Sequence, residues 1–168
     1  MHKDPENKQA YFEQFVDIQI EILSKKCPLL NRLKEKMNRK ISMADIDATT
    51  RYELHTRING MPNADQVCHG DFDPSNVIIS DNGSYIIDWA HVTQGNPEAD
   101  AARTYLRFWL SGNIQGAEYY LDTFCKKSSL EKKMIQRWMP VVATSQSIKS
   151  NPAEREFLLS WANVVEYQ

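Results

Sequence analysis

Residues 69–76, with the sequence HGDFDPSN, bring a histidine, two aspartates and an asparagine into eight positions. A further aspartate, Asp88, follows the apolar run of residues 85–87. Mg²⁺ prefers hard oxygen ligands and commonly takes only one or two groups from the protein, leaving the remaining positions to phosphates and water. Asn76 and Asp88 are therefore candidates for a magnesium site. Asp71 is a candidate to accept a proton from an attacking hydroxyl.

The charge pattern around this segment raises a further question. Residues 58–102 contain seven carboxylates and no Lys or Arg. If several of these carboxylates converge, a cation must offset their mutual repulsion; otherwise they lie apart on the surface. Asp81 has an ordinary explanation in a turn, and Asp100 has one in the first turn of a helix. Asp71 and Asp88 are harder to explain in this way, because loop positions on a rigid scaffold often carry function.

The elements that must position these residues are mainly helical. Apolar residues at helical spacing predict helices over residues 7–26, 29–40, 43–58, 97–111, 114–126, 129–147 and 152–166. Gln19 falls on the polar face of the first helix, and residues 42–45 resemble the capping signal of the third. Asn96 and Asn151, each followed by proline, are predicted N-caps. Pro140 is expected to kink or break its helix.

A short β segment separates the two helical groups. Residues 66–69 are a strand candidate, and the runs 76–80 and 85–89 flank an Asn-Gly pair that predicts a hairpin. The predicted fold class is α+β, mainly α, with helices around a small β-hairpin that carries the candidate site. We expect residues 1–168 to form a single domain. Its parts are a helical segment over 1–58, the loop and hairpin over 66–89, and a helical subdomain over 96–168.

The bulk composition excludes several classes of protein. The chain has 168 residues, 42% hydrophobic content, a formal charge of −2 and a pI near 6.1, which gives no electrostatic reason to expect nucleic acid or an anionic membrane as partner. No apolar run approaches the ~18 residues of a membrane span, and the first residues lack the apolar segment of a signal peptide. Three widely spaced cysteines predict reduced thiols in a cytoplasmic protein.

The site residues carry a resemblance to a known family. The HGD at 69–71, with Asn76 five residues after its aspartate, resembles the catalytic loop H-x-D-x-x-x-x-N of kinase-fold phosphotransferases. The glycine in the second position, and Asp-Trp at 88–89 where protein kinases have Asp-Phe-Gly, are similar to the aminoglycoside phosphotransferase and choline kinase branch. Residues 96–102 are similar to the segment that opens a helix in that branch. By motif the likeness covers roughly residues 60–110.

The resemblance implies the C-terminal lobe of a protein-kinase-like fold and transfer of the ATP γ-phosphate to a small-molecule hydroxyl. Asp71 would be the catalytic base or would orient the acceptor hydroxyl. Asn76 and Asp88 would bind the Mg²⁺ that bridges the nucleotide phosphates. His69 and Asp100 would be scaffold residues that hold the loop rigid.

Asp73 departs from the family pattern, because related enzymes often have His or Lys there and an aspartate does not neutralise phosphate. We expect Asp73 to contact a cationic substrate or to lie exposed. Acidic residues in the later helices would tolerate a cationic acceptor such as an aminoglycoside or choline, and solvated helix faces explain them equally well. These residues are Glu118, Asp122, Glu154 and Glu156. A sugar, an amino-alcohol and a homoserine-like acceptor stay open.

The sequence lacks two features that ATP binding requires in this fold. Its six glycines form no G-x-G-x-x-G loop, and no lysine lies in a strand of the V-A-I-K type. We therefore expect a lobe without its nucleotide-clamping N-terminal partner, which binds ATP weakly alone and exposes apolar surface that favours a homodimer.

Three functions are compatible with this pattern. The first is a small-molecule kinase that is truncated or complemented by a separate lobe. The second is a non-catalytic module that binds a small molecule or a protein. A metal-dependent hydrolase ranks last, because no His-rich ligand set accompanies the acids.

Overall fold

The computed structural model describes residues 5–163 of the chain, and helices dominate it. In chain order the elements are α1 (Pro5–Leu23), α2 (Leu33–Met43), α3 (Ala48–Gly60), β1 (Gln66–Cys68), β2 (Val77–Ser80), β3 (Gly83–Ile86), β4 (Thr93–Gly95), α4 (Pro97–Leu110), α5 (Ile114–Ser128), α6 (Lys132–Ser147) and α7 (Pro152–Ser160). Short 3₁₀ turns cover Pro74–Asn76 and Trp161–Asn163. The predicted α+β, mainly α class is confirmed. The end of the last predicted helix, residues 164–166, lies outside the described residues.

The strands form two separate antiparallel pairs. β1 pairs with β4, with Cys68 opposite Thr93. Residues 69–92 therefore form one long connection between these two paired strands. That connection contains every predicted site residue except Asp100. The sequence did not predict β4, because its three residues contain no apolar run.

The predicted hairpin is confirmed by the pairing of β2 with β3. Ser80 lies opposite Gly83, so the two-residue turn is formed by Asp81 and Asn82, one position before the Asn-Gly pair. β3 ends at Ile86 rather than continuing to Trp89, and Asp88 therefore lies in the loop that follows.

The core packs around α4 and α6. Ala99, Ala101 and Ala102 in α4 are almost completely buried, which lets neighbouring elements approach the helix closely. The catalytic-loop candidate contributes Phe72 to this core, where its fully buried ring lies 4.5 Å from the ring of Phe15 between centroids. Burying a phenylalanine contributes about 2–3 kcal/mol. The polar residues of the loop are thus attached to the body of the protein by an apolar one.

Several predicted boundaries were wrong for local reasons. α2 begins at Leu33 rather than at Leu29, whose side chain is 94% exposed. The capping signal at 42–45 does not start α3, because Asp47 is the cap and its carboxylate accepts a hydrogen bond from the N–H of Thr50. The helix α6 continues through Pro140 without a break.

The two asparagines predicted as N-caps behave differently. Asn151 accepts a hydrogen bond from the N–H of Glu154, as a cap does. The amide of Asn96 instead donates to the carbonyl of Pro62, and the N-terminus of α4 has no side-chain cap. Within residues 5–163, no helix combines the length and the apolar content that crossing a bilayer requires.

Candidate active site

His69 is the first fixed point of the loop. Its ring is fully buried, Nδ1 accepts a hydrogen bond from the N–H of Asp71 (3.2 Å), and Nε2 lies 3.0 Å from the carbonyl oxygen of Ile87. Because Nδ1 accepts, this network assigns the ring hydrogen to Nε2, which donates to Ile87. The ring therefore ties the start of the loop to the segment that carries Asp88.

Asp100, in the first turn of α4, is the second fixed point. Its side chain is buried, and Oδ1 accepts a hydrogen bond from the N–H of Gly70 at 2.8 Å. Oδ2 accepts a second one, from Nε2 of Gln19, at 3.1 Å. Burial raises the pKa of Asp100, and the hydrogen bonds from Gly70 and Gln19 act in the opposite direction. The two carboxylate oxygens thus bind the loop backbone and α1, respectively.

Only glycine fits at position 70. Its φ of +82° lies in the left-handed region, and a Cβ there would lie 2.4 Å from the carbonyl oxygen of His91. The loop backbone consequently packs directly against the segment that leads into β4.

Asp71 faces two arginines of α4. Its Oδ1 lies 3.6 Å from Nη2 of Arg103 and 3.6 Å from Nε of Arg107. The side chain is 15% exposed, and the buried Oδ1 accepts no hydrogen bond within the described chain. Oδ2 has one long hydrogen bond, from Nδ2 of Asn76 at 3.4 Å. The cations that offset the acidic stretch are therefore supplied by the first two basic residues after it.

Asp73 is paired inside the protein. Oδ1 accepts hydrogen bonds from the N–H and the hydroxyl of Ser75, and Oδ2 lies 3.3 Å from Nε of Arg107. Its side chain, like that of Asp71, is only 15% exposed. Burial acts to raise the pKa of Asp73, but the bonds from Ser75 and the charge of Arg107 outweigh it, and the pKa is lowered.

Asn76 is oriented by the loop. Its side chain is buried, and Nδ2 donates to the carbonyl oxygen of Asp71 at 2.9 Å. This bond fixes the amide and leaves Oδ1 without a hydrogen bond among the described residues. The backbone carbonyl of Asn76 accepts from the N–H of Ile87, which brings the Asp88 segment alongside.

Asp88 is exposed and makes no hydrogen bond or ion pair within residues 5–163. Its φ of +59° is left-handed, a conformation that costs a non-glycine residue about 1–2 kcal/mol and that concentrates at functional sites. With Asn76 Oδ1 it supplies two uncommitted oxygen donors, which suit Mg²⁺. No group of three His, Cys, Asp or Glu side chains converges on a metal position in the described part.

A cavity of about 230 Å³ opens beside Asp71. It lies between α2, α4 and the end of α6, and we call it the basic cavity after the cations in its lining, which are Lys36, Lys40, Arg103, Arg107 and Lys149. Neither Asn76 nor Asp88 lines it. Asp71 thus borders the basic cavity, and its Oδ2 contacts the candidate metal ligand Asn76.

Comparison with known proteins assigns the chain to a family. A sequence model of the phosphotransferase enzyme family, APH, matches residues 27–126. The chain belongs to the APH family. A comparison with curated proteins gave no match. The resemblance carried by the HGD loop and by Asp88-Trp89 is therefore confirmed at the level of the family.

Solved structures show the fold of this APH-family chain. LicA in complex with AMP superposes with a TM-score of 0.66 at 17% identity, over 95% of this chain and 64% of that one. Choline kinase LicA from Streptococcus pneumoniae gives 0.67 at 18%, over 93% and 63%. A thermostable mutant of aminoglycoside phosphotransferase APH(4)-Ia, in a ternary complex with ADP and hygromycin B, gives 0.68 at 13%, over 95% and 65%. The chain thus spans just under two thirds of the length of these structures.

Several residues around the site were not predicted from the sequence. Gln19 falls on the predicted polar face of the first helix, yet it is fully buried and joins Asp100, Thr104 and Tyr120 through hydrogen bonds of 3.1, 3.0 and 2.6 Å. The arginines of α4 had a signal that could have found them. They follow Asp100 by three and seven residues, a spacing that places all three side chains on one helix face.

Proposed function

We propose that this APH-family chain transfers the γ-phosphate of ATP to a hydroxyl of a small molecule. The observation that carries the proposal is Asp71, a carboxylate held by Arg103, Arg107 and Asn76 at the boundary between a cavity and two uncommitted oxygen donors. Phosphoryl transfer depends mainly on positioning and charge stabilisation, so a carboxylate fixed in this way is suited to it.

Asp71 would act on the acceptor hydroxyl. Its Oδ2 has only the long hydrogen bond from Asn76, so it is the oxygen available to accept the hydroxyl hydrogen. Oδ1 faces the arginines, which hold the carboxylate in place. The acceptor oxygen would be oriented by Oδ2 and would give up its proton there. At the same time the acceptor oxygen would form its bond to the γ-phosphorus, and the bond from that phosphorus to the bridging oxygen would break, with ADP as the leaving group.

Asn76 Oδ1 and the Asp88 carboxylate would hold Mg²⁺. When bound, this ion neutralises charge on the nucleotide phosphates. The hydrogen bond from Asn76 Nδ2 to the carbonyl of Asp71 links the metal ligand to the acceptor-binding residue through one rigid amide. His69 and Asp100 would hold the loop that carries Asp71 and Asn76 in place, through their hydrogen bonds to Ile87 and Gly70.

Nucleotide binding by this chain is inferred from its relatives. LicA was solved with AMP, and APH(4)-Ia with ADP and hygromycin B. About a third of each of those structures has no counterpart in this chain, and none of the four strands described here contains a lysine. We therefore expect this lobe alone to bind Mg·ATP weakly.

Calorimetric titration of the chain with Mg·ATP tests the proposal. Millimolar or tighter binding that is lost in Asp88→Ala would support a working metal and nucleotide site. Asp81→Ala is the matched control, because it removes one exposed carboxylate from the hairpin turn and should leave binding unchanged. No detectable binding would favour the alternative, a module that binds a small molecule or a protein without catalysis.

Self-association remains a prediction. The hairpin region exposes apolar side chains that a second copy could cover, and these are Ile78, Tyr85, Ile87 and Trp89. Light scattering at micromolar concentration should detect a species heavier than 19.5 kDa. A homogeneous monomer would contradict the prediction.

A further inference from the structure

The basic cavity concentrates positive charge in a chain whose net charge is −2. Five Lys and Arg side chains line it against two carboxylates, Asp71 and Asp100. The cations come from three separate parts of the fold, so the cluster is not the accident of one basic segment. Lys36 and Lys40 lie one turn apart in α2, and Arg103 and Arg107 lie one turn apart in α4.

Neither carboxylate of the cavity is paired with a lysine in the described part of the chain. Both oxygens of Asp100 accept hydrogen bonds, from Gly70 and from Gln19, and the side chain is buried behind the loop. Oδ1 of Asp71 is shared by Arg103 and Arg107. Within residues 5–163, the lysines therefore form no ion pair with either group.

Within the described residues the three lysines have no acidic partner. Nζ of Lys36 donates to the carbonyl of His91 at 3.3 Å, and Nζ of Lys40 and of Lys149 makes no hydrogen bond or ion pair with a described residue. Nε of Arg103 is buried and also lacks a hydrogen-bond partner. A buried donor without an acceptor costs free energy, as does a cluster of like charges.

The electrostatics reflect this arrangement. Burial lowers the pKa of Lys36, and the charges of Arg103, Lys149 and Arg39 lower it further. Burial and then Lys36, Arg103 and Lys149 lower the pKa of Lys40 to about 8. An anion in the cavity would raise the pKa of both lysines, because it supplies an opposite charge close to them.

We propose that the basic cavity binds an anionic group of the acceptor, a phosphate or a carboxylate, and so presents the acceptor hydroxyl to Asp71. This inference rests on the proposed function and names the class of its substrate. The anion belongs to the acceptor rather than to the nucleotide, because the cavity is lined by Asp71 and not by the candidate metal ligands Asn76 and Asp88. A volume of about 230 Å³ suits a small acceptor.

The cationic acceptor considered from the sequence has less support. Glu118 and Asp122 lie within ion-pair distance of Lys132, and none of Glu118, Asp122, Glu154 and Glu156 lines the basic cavity. Asp73 is paired with Arg107. A cation placed beside Asp71 would meet five positive side chains.

Calorimetric titrations without Mg²⁺ and nucleotide test the proposal directly. The probes are inorganic phosphate, glycerol 3-phosphate and glycerate as anions, and choline as the cation. We expect at least one hydroxylated anion to bind, and choline not to bind. The double variant Lys36→Gln/Lys40→Gln should weaken anion binding by about tenfold or more, because it removes two charge-assisted contacts.

Matched variants separate the cavity from general electrostatics. Lys25→Gln/Lys126→Gln removes the same charge from exposed positions outside the cavity and should leave anion binding unchanged. Lys36→Arg/Lys40→Arg keeps the charge and should retain binding, with circular dichroism confirming that each variant is folded. Equal weakening in both glutamine variants, no anion binding, or binding of choline instead would each overturn the proposal.

A further arm distinguishes the possible sources of the anion. With saturating Mg·ATP present, an acceptor anion should still bind, whereas competition by ATP would assign the cavity to nucleotide phosphates and overturn the proposal. Binding of inorganic phosphate that equals that of both hydroxylated anions would also count against it, because an acceptor site should favour the molecule that carries the hydroxyl. Failure here together with intact Mg·ATP binding, lost in Asp88→Ala, would leave the proposed function standing.

Discussion

The two sides of the loop over residues 69–76 are built differently. On the side of the basic cavity, Asp71 and Asp73 are mostly buried and paired with arginines of α4, and Asp100 fixes the backbone beneath them. On the other side, Asp88 is exposed, unpaired in the described chain and held in a left-handed conformation. The first side is assembled by the protein itself. The second is left open, with its oxygen donors available to a ligand.

This difference separates stability from binding. Asp71, Asp73 and Asp100 contribute to stability, because their carboxylates are ion-paired or hydrogen-bonded within the fold. Residues on the open side contribute little to the stability of the fold. The left-handed conformation of Asp88 destabilises the protein, and contacts with a bound ligand would offset this loss. Substitutions on the two sides should therefore change the free energy of unfolding with different signs as well as different magnitudes.

The largest effect is expected where the loop backbone has no room. Gly70→Ala should destabilise the protein by about 3 kcal/mol or more, because it combines a left-handed φ with a clash against the His91 carbonyl. Gly112→Ala is the matched control, since its φ of +79° is similar and nothing lies near the added Cβ. It should cost only about 1–2 kcal/mol. Equal urea midpoints for the two variants would show that the close contact between position 70 and the His91 carbonyl adds nothing to the loss of stability.

The next effect tests the support beneath the cavity side. Gln19→Leu removes the amide that joins Asp100, Thr104 and Tyr120, and should cost about 2–3 kcal/mol because it leaves buried polar groups unsatisfied. Gln14→Leu changes an exposed glutamine of the same helix and should stay within about 0.5 kcal/mol of the parent. Chemical denaturation measures both. A small loss for Gln19→Leu would mean that α1 does not hold the loop.

A pair of aspartate substitutions compares the two sides directly. Asp71→Asn should destabilise by about 1–2 kcal/mol, less than a fully buried pair would, because it leaves Arg103 and Arg107 facing each other in a partly exposed site. Asp88→Gly should stabilise by about 0.5–1 kcal/mol, because glycine accepts the left-handed φ. Thermal unfolding at neutral pH measures both. Shifts of the same sign would remove the contrast between the two sides.

The smallest effect is a pH dependence in the basic cavity. The pKa of Lys40 is lowered from 10.5 to about 8, so the unfolded chain binds this proton more tightly than the folded one. Its contribution to stability is fully present above pH 10.5 and is lost as the pH falls through about 8. The unfolding free energy should therefore rise more steeply over this window in the parent than in Lys40→Met. Inorganic phosphate should reduce the difference, and parallel profiles would contradict the lowered pKa.

The fold class and the family were predictable from local patterns, and the candidate site lies on the loop and hairpin that those patterns located. Helical periodicity located the helices, the Asn-Gly pair located the hairpin, and the HGD loop with Asp88 identified the family. These signals depend on neighbouring residues, so one sequence suffices. Boundaries failed where one local signal competed with another. The segment 42–45 resembles a cap, but Asp47 accepts the hydrogen bond that starts α3.

The sequence by itself determined that carboxylates and an asparagine meet in a short loop with the spacing of a phosphotransferase. Only the tertiary structure decided what surrounds them. Gln19 lies 81 residues from Asp100, and α2 and α4 meet at the basic cavity only after folding. Periodicity reports which face of a helix is polar and contains no information about what that face meets. The burial of Gln19 and the gathering of five cations beside Asp71 therefore depend on long-range packing.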